Sequence, residues 1–250
     1  WRYYRNRIDS EVMLAEGFKL IRDFDAQEAI RIADGMRRSN HIEQTMRILH
    51  EKGYFISLIS SGIPNFILSH IARDIGADHF SGIDTAIKDG NIQADRLRAH
   101  PKDEIVRELL HQLDLDEIDI VFVENVGNLV CPASFDLGQH RNVTLLSVTE
   151  GDDKPAKYPV MFRAAELVLL SKSDFLEVID DFDPAHAERQ VRELANPADV
   201  LQLSVRRPET LQAWFDWLHA KLDAHRAGAE MAPRTQPDGA VLHGVADGGS

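Results

Sequence analysis

Two short strings in the second half of this 250-residue chain carry residue types suited to handling a nucleotide. In the first, the apolar run Ile118 to Val123 leads into Glu124-Asn125-Val126-Gly127, so an acid stands at the end of an expected buried strand with a glycine three residues on. A carboxylate so placed can orient Mg2+ or a water, and a glycine backbone can approach a terminal phosphate. In the second string, Leu167 to Leu170 runs into Ser171-Lys172-Ser173-Asp174. A carboxylate just past a strand can accept hydrogen bonds from the N1–H and the exocyclic amine of guanine while the lysine stem packs on the ring. Either string alone is common on protein surfaces. The first half has a third candidate: Ser60, Ser61 and Gly62 follow an apolar run and can offer hydroxyl and backbone N–H groups to an anion at the next helix start. Lys102 follows Pro101 at another expected helix start, where the dipole disfavours a cation unless an anion lies opposite. On these residues alone, a helix cap at Ser60 and Ser61 with a solvated Lys102 is an equally good reading.

These groups need rigid supports, and the hydrophobic pattern supplies them. Tyr54 to Ile59 reads as a strand buried on both faces, and a helix with Pro64 in its first turn follows and stops at Gly76. Further strands are expected over Ile118 to Val123, Val143 to Val148, Leu167 to Leu170 and Val200 to Leu203, and helices near 102–113, 156–165, 184–195 and 208–225. This alternation predicts an α/β fold: a mostly parallel sheet with helices on both faces, Rossmann-like and three-layered, preceded by a helical cap-like segment. The expected parts are a helical segment over 1–52, α/β halves over 53–117 and 118–225, and a disordered Ala, Gly, Pro and Asp tail over 226–250. Asp23-Phe24-Asp25 has the spacing of an Asp-x-Asp nucleophile motif. Its second acid is better read as a helix N-cap, because Glu28 stands three residues on.

A formal charge of -13 repels phosphate backbones and anionic lipid, so nucleic acid and membrane surfaces are not expected partners. No apolar run reaches the roughly 18 residues that a spanning helix requires, and the start WRYYRNR lacks the apolar stretch of a signal peptide. Cys131 is the only cysteine, so no internal disulfide can form and a cytoplasmic location is expected. By its type a lone cysteine is a small hydrophobe before it is a ligand, although its thiolate suits soft divalent metals. His140, nearby, reads as a solvated loop residue.

The segment VFVENVGNLVCPASFDLGQHRNVTLLSVTEGDDKPAKYPVMFRAAELVLLSKSDFLE, with LANPADVLQLSV and LQAWFDWL after it, closely resembles the GTPase domain of HypB-type hydrogenase nickel-incorporation proteins over about residues 116–222. The resemblance implies GTP, Mg2+ and Ni2+ or Zn2+ as ligands, with Glu124 and Gly127 in a phosphate-facing motif, Lys172 and Asp174 reading guanine, Ser204 closing over the base and Lys154 on the nucleotide side. It gives Cys131 the role of metal ligand near a homodimer interface. Hydrogenase maturation proteins or the hydrogenase large subunit are the implied partners. The chain departs from that family at Ser171, at Val205-Arg206-Arg207, and above all in having no Gly-x-x-x-x-Gly-Lys-Ser/Thr loop. Nucleotide handling is therefore expected to be impaired. Residues 1 to about 120, through GYFISLISSGIPNFILSHIARDIGADHFSG and HPKDEIVRELL, resemble a phosphoserine phosphatase-like member of the haloacid dehalogenase superfamily, which implies phosphate-binding roles for Ser60 and Lys102. The Asp-x-Asp-x-Thr nucleophile and the magnesium-binding acids of that family have no counterpart here. The whole reads as a fusion of two incomplete domains that share the strand 118–123. Two alternatives accompany the accessory-protein reading: a phosphatase, or a non-enzymatic binding module that partners a complete GTPase through the surface around Cys131 and Lys154.

Overall fold

The Asp25 carboxylate accepts the N–H of Glu28 at 2.8 Å, the cap bond that the three-residue spacing predicts, and helix α1 follows over Ala26–Gly35. The carboxylate that looked like half of a nucleophile motif is thus committed to a helix end. The protein is described by a computed structural model over residues 24–98, 100–125, 139–194 and 196–228. Gly127 and Cys131 lie outside the described residues, as do most of the expected tail and the first part of the helical segment. A second helix, α2, spans Ile42–Glu51. The chain divides into two compact units, Trp1–Leu113 and Asp114–Ser250.

The first unit contains strand β1 (Ser57–Pro64), helix α3 (Asn65–Ile75), strands β2 (His79–Lys88) and β3 (Asn91–Arg98), and helix α4 (Lys102–Gln112). β1 runs parallel to β2, and β2 antiparallel to β3. The β2–β3 hairpin turns on Asp89 and Gly90, both at positive φ (51° and 84°), the backbone that a two-residue Asp-Gly turn favours. β1 begins and ends later than its apolar run, and Tyr54 and Phe55 are 54% and 48% exposed. Among the described residues it is an edge strand paired with β2, and instead of being buried on both faces it is intermediate to exposed along its length up to the buried Pro64. Close approach of β1 and β2 requires Gly82, where an added Cβ would stand 2.4 Å from the Ile63 carbonyl oxygen.

The second unit contains strands β4 (Val143–Ser147), β5 (Leu167–Ser171) and β6 (Asp199–Gln202), all parallel in the order β4-β5-β6. Helices α5 (Lys154–Lys157), α6 (Pro159–Ala164), α7 (Pro184–Glu193) and α8 (Gln212–Arg226) complete it. Val168 and Leu170 join a core with Leu146, Phe162, Phe182, Ala187 and Val191 on one face of the sheet, beneath α6 and α7. Leu167 and Leu169 face the other way, with Leu203, Trp214 and Trp217 beneath α8. This is the expected three-layer arrangement. Asn196, buried at the entry to β6, donates to the carbonyls of Phe162 and Ala165 (2.8 Å for the latter) and accepts the Ala198 N–H at 2.9 Å. It ties the end of α6 to the start of two strands.

Two expected elements differ. The single helix near 156–165 is two short helices, because Pro159 disfavours helical backbone at Tyr158, which sits at φ -127° and ψ 57°. The strand expected over 118–123 does not form: residues 118–125 have no regular structure, and Phe122 is 63% exposed. The apolar run is suited to burial, but a strand also needs a neighbour for its N–H and C=O groups, and no ladder partner meets it among the described residues. A charged pair between Asp119 and Arg226, at the end of α8, tethers the segment. The expected joint within a shared strand is corrected accordingly.

Phe162 is fully buried at the centre of the larger core. Phe162→Ala is expected to destabilise the second unit by about 3–5 kcal/mol, read as an earlier denaturant midpoint. An unchanged midpoint would show that this core does not hold the sheet.

Candidate nucleotide-base site

Strand β5 ends at Ser171, and Lys172 turns left-handed, at φ 58° and ψ 39°. That backbone costs a non-glycine residue about 1–2 kcal/mol, and such strain persists where surroundings over-determine it, often at ligand clamps. Three backbone bonds hold it: Phe175 N–H to the Lys172 carbonyl at 3.0 Å, Ser173 N–H to the Leu203 carbonyl at 3.1 Å, and Leu203 N–H to the Leu170 carbonyl at 2.9 Å. The Lys172 amine reaches Thr149 Oγ1 at 3.4 Å, and Thr149 in turn pairs with Ser147 Oγ at 2.9 Å. Groups from the carboxyl ends of β4, β5 and β6 thereby meet at one edge, where open parallel sheets bind their ligands.

Asp174 sits one step beyond, in the short 3-10 turn Ser173–Glu177, with its side chain 14% exposed. Ser204, 1% exposed, donates its hydroxyl to Asp174 Oδ1 at 2.5 Å and accepts the Arg206 N–H at 3.1 Å. Thr210 locks the loop, accepting the Ser204 N–H at 2.9 Å and donating to the Arg207 carbonyl at 2.7 Å. Ser204 therefore orients the carboxylate rather than presenting its own hydroxyl to a ligand. Asp174 Oδ2 has an Arg206 guanidinium nitrogen 3.8 Å away, and the Arg206 head lies 5.7 Å from the centre of the Phe175 ring. Arg207 is engaged elsewhere, 2.6 Å from Glu177.

The structure brings together Lys172, Asp174 and Ser204. Lys154 lies instead with its amine 5.5 Å from the Tyr158 ring centre. Glu124 stands exposed at the end of the irregular 118–125 segment rather than at a strand end. Among the described residues no group of three or more His, Cys, Asp or Glu side chains could hold a metal ion. His140 is exposed, with its ring edge-on to His225 at 4.7 Å between centroids. Thr149, Phe175 and Arg206 join the site without having been expected there. In the sequence Val205-Arg206-Arg207 reads only as weakening base affinity, and it is this stretch that brings Arg206 to Asp174.

In the first unit, Ser60 lies inside β1, and its hydroxyl oxygen accepts the N–H groups of Gly62 and Ile63 at 3.2 and 3.0 Å. It caps its own turn and not α3, which starts at Asn65 behind Pro64. Lys102 opens α4 as expected, next to Asp103 and Glu104. A cavity of about 170 Å³ in this unit is lined by His79, Ser81, His100, Glu104 and Glu108 among others, with neither Ser60 nor Lys102 at its wall. Two carboxylates there disfavour a phosphate. Asp84 accepts from Asn65 Nδ2 at 2.8 Å and pairs with His100 Nε2 at 2.9 Å. The His100 hydrogen bond, helped by that of Asn65 and opposed by partial burial, holds the Asp84 carboxyl below its ordinary 3.8.

Fold and site together define the second unit as a three-layer parallel α/β unit whose strand-end loop holds a fixed carboxylate, Asp174. Comparison with known proteins narrows this class. The hydrogenase maturation factor HypB of Escherichia coli K12 is 43% identical over 122 residues, which cover 49% of this chain and 42% of that protein. The chain spans less than half the length of the relatives it matches. HypB from Helicobacter pylori, solved in complex with nickel, superposes at a TM-score of 0.49 with 24% identity over 88% of this chain and 97% of that one. A phosphoserine phosphatase solved as a phospho-aspartyl intermediate analogue superposes at 0.40 with 15% identity, over 85% and 81%. No family model matches the chain. About half of the chain is thus similar to HypB.

Ser204→Ala leaves a carboxylate oxygen and the Arg206 N–H without their partner, and is expected to cost about 1–3 kcal/mol in chemical denaturation. A cost near zero would show that Asp174 is held by other means. Asp84 follows the sign for a depressed acid: its stabilisation is present above pH 3.8 and is lost as pH falls through the lower native value. Because its side chain is 56% exposed, the effect is under about 1 kcal/mol. Asp84→Asn is expected to flatten the acid limb of the stability profile, and an unchanged limb would contradict the assignment.

Proposed function

We propose that the second half of this chain binds the base of a guanine nucleotide and serves nickel insertion during hydrogenase maturation, with its grip on the triphosphate impaired. One observation carries the reading: a fixed carboxylate, Asp174, stands past the central strand beside a strained Lys172, at the junction of three parallel strand ends. Similarity to HypB at 43% identity supports the same assignment.

Asp174 accepts the N1–H and exocyclic amine of the base, and Ser204 holds the carboxylate in the plane of that edge. Lys172 lays its stem along the ring. The base half of GTP therefore fits the residues present. For the phosphate half, the Gly-x-x-x-x-Gly-Lys-Ser/Thr cradle is not found in these 250 residues. Each charge-assisted hydrogen bond of such a cradle contributes about 1.5–3 kcal/mol, so the loss of several leaves binding weaker than millimolar. Glu124, with Gly127, is assigned to the Mg2+ and terminal phosphate side, where the metal would neutralise phosphoryl charge. Lys154 is assigned to the same nucleotide. Cys131 is assigned as a soft ligand for the Ni2+ cargo or for Zn2+, a role that rests on the family resemblance alone. Hydrogenase maturation proteins or the hydrogenase large subunit are the partners, the working form is a homodimer, and the compartment is the cytoplasm.

Titration of the purified chain with GDP and with ADP, followed by NMR, tests the base assignment. Wild type is expected to prefer GDP by about tenfold to a hundredfold, and Asp174→Ala is expected to erase that preference. Equal binding of the two nucleotides by wild type would remove the reading. Nickel uptake that drops in Cys131→Ser is the matching result on the metal side.

A further inference from the structure

Resting on the guanine reading, and concerned with what holds that site when no base is present, we infer that Arg206 is an internal stand-in for guanine. Its guanidinium lies in a loose ion pair beside Asp174 Oδ2 and over the ring of Phe175, and a guanine nucleoside binds by displacing it. The chemistry of the two groups is alike. The edge of guanine that a carboxylate recognises, N1–H and the amine on C2, is a planar array of N–H donors on one carbon, as is the head of an arginine. The geometry divides the carboxylate accordingly. Oδ1 is taken by the Ser204 hydroxyl at 2.5 Å, and Oδ2 is the oxygen that Arg206 faces at 3.8 Å.

Arg206 also lies over an aromatic face, with its head 5.7 Å from the Phe175 ring centre, a cation–π approach. The Arg206 backbone is anchored through its N–H to Ser204 Oγ, whereas its side chain is 74% exposed, so the head can swing away without disturbing the loop. The neighbouring Arg207 is fastened to Glu177 and feels Asp174 only through a weaker, longer-range attraction. A loose, solvent-exposed pair of this kind restrains by a modest factor. Relieving it is expected to improve base binding about threefold to tenfold. Salt screens the pair, so salt should relieve it too.

The test uses nucleosides, which carry no phosphate for the arginine to attract. Guanosine and adenosine are titrated by NMR into the full chain as wild type, Arg206→Ala, Arg206→Gln and Asp174→Ala, at low and high salt. Expected are a threefold to tenfold gain in guanosine affinity in both Arg206 variants, a gain for wild type as salt rises, and no salt response in the variants. If guanosine is preferred over adenosine in an Asp174-dependent way but the Arg206 variants bind it equally or less well, the arginine is a bystander or a base contact. The stand-in is then overturned while the guanine reading survives. If neither wild type nor the Arg206 variants prefer guanosine, the guanine reading itself fails and the stand-in falls with it.

Discussion

The candidate site hangs from a strand with no solvent-facing side. β5 is the centre of the parallel sheet, and Leu167, Val168, Leu169 and Leu170 are all at most 5% exposed, alternately beneath the α6–α7 layer and the α8 layer. Burying such side chains contributes about 1.5–3 kcal/mol each, and a one-residue slip would exchange the two faces. The register of β5 is therefore held on both sides, and so is the point at which the chain leaves the sheet. That constraint lets a strained Lys172 exist at all: the left-handed turn is imposed by a strand that cannot shift and by the β6 backbone that it meets through Ser173 and Leu203. Asp174 inherits its place from the same source, with Ser204 as the last tie.

What could be read in advance follows from whether the determining interaction is local in sequence. β4, β5, α4 and α7 lie within about two residues of their expected bounds because hydrophobic period, proline placement and polar caps all act over a few residues. Asp25 was legible for the same reason. Lys172 and Asp174 were legible because their chemistry belongs to a strand end, and the strand could be seen. The hairpin of β2 and β3 was missed although Asp89-Gly90 is a strong local turn signal, since His79-Phe80-Ser81-Gly82 shows no clean alternation. Residues 118–123 failed in the opposite direction. Their pattern states a preference for burial but cannot name a pairing partner, and pairing is a property of the whole sheet. Thr149 and Arg206 were invisible as site members for that reason too, each arriving from a different strand end.

The departures from the HypB-like pattern acquire physical content when taken together. A cradle that grips phosphates through several charged hydrogen bonds dominates nucleotide affinity, and beside it a threefold effect at the base is negligible. In a site that lacks such a cradle, the base edge carries what affinity remains, and small terms there decide occupancy. Arg206 faces Asp174 Oδ2, the carboxylate oxygen that the Ser204 hydroxyl does not engage. An exposed arginine of little consequence to a complete nucleotide site would thus weigh heavily in the site proposed for this chain. The same reasoning makes Ser204 more important here than a buried hydroxyl is elsewhere. Its bond keeps one oxygen of Asp174 fixed and anchors the Arg206 backbone, so the exchange we infer between arginine and base would require no rearrangement of the loop.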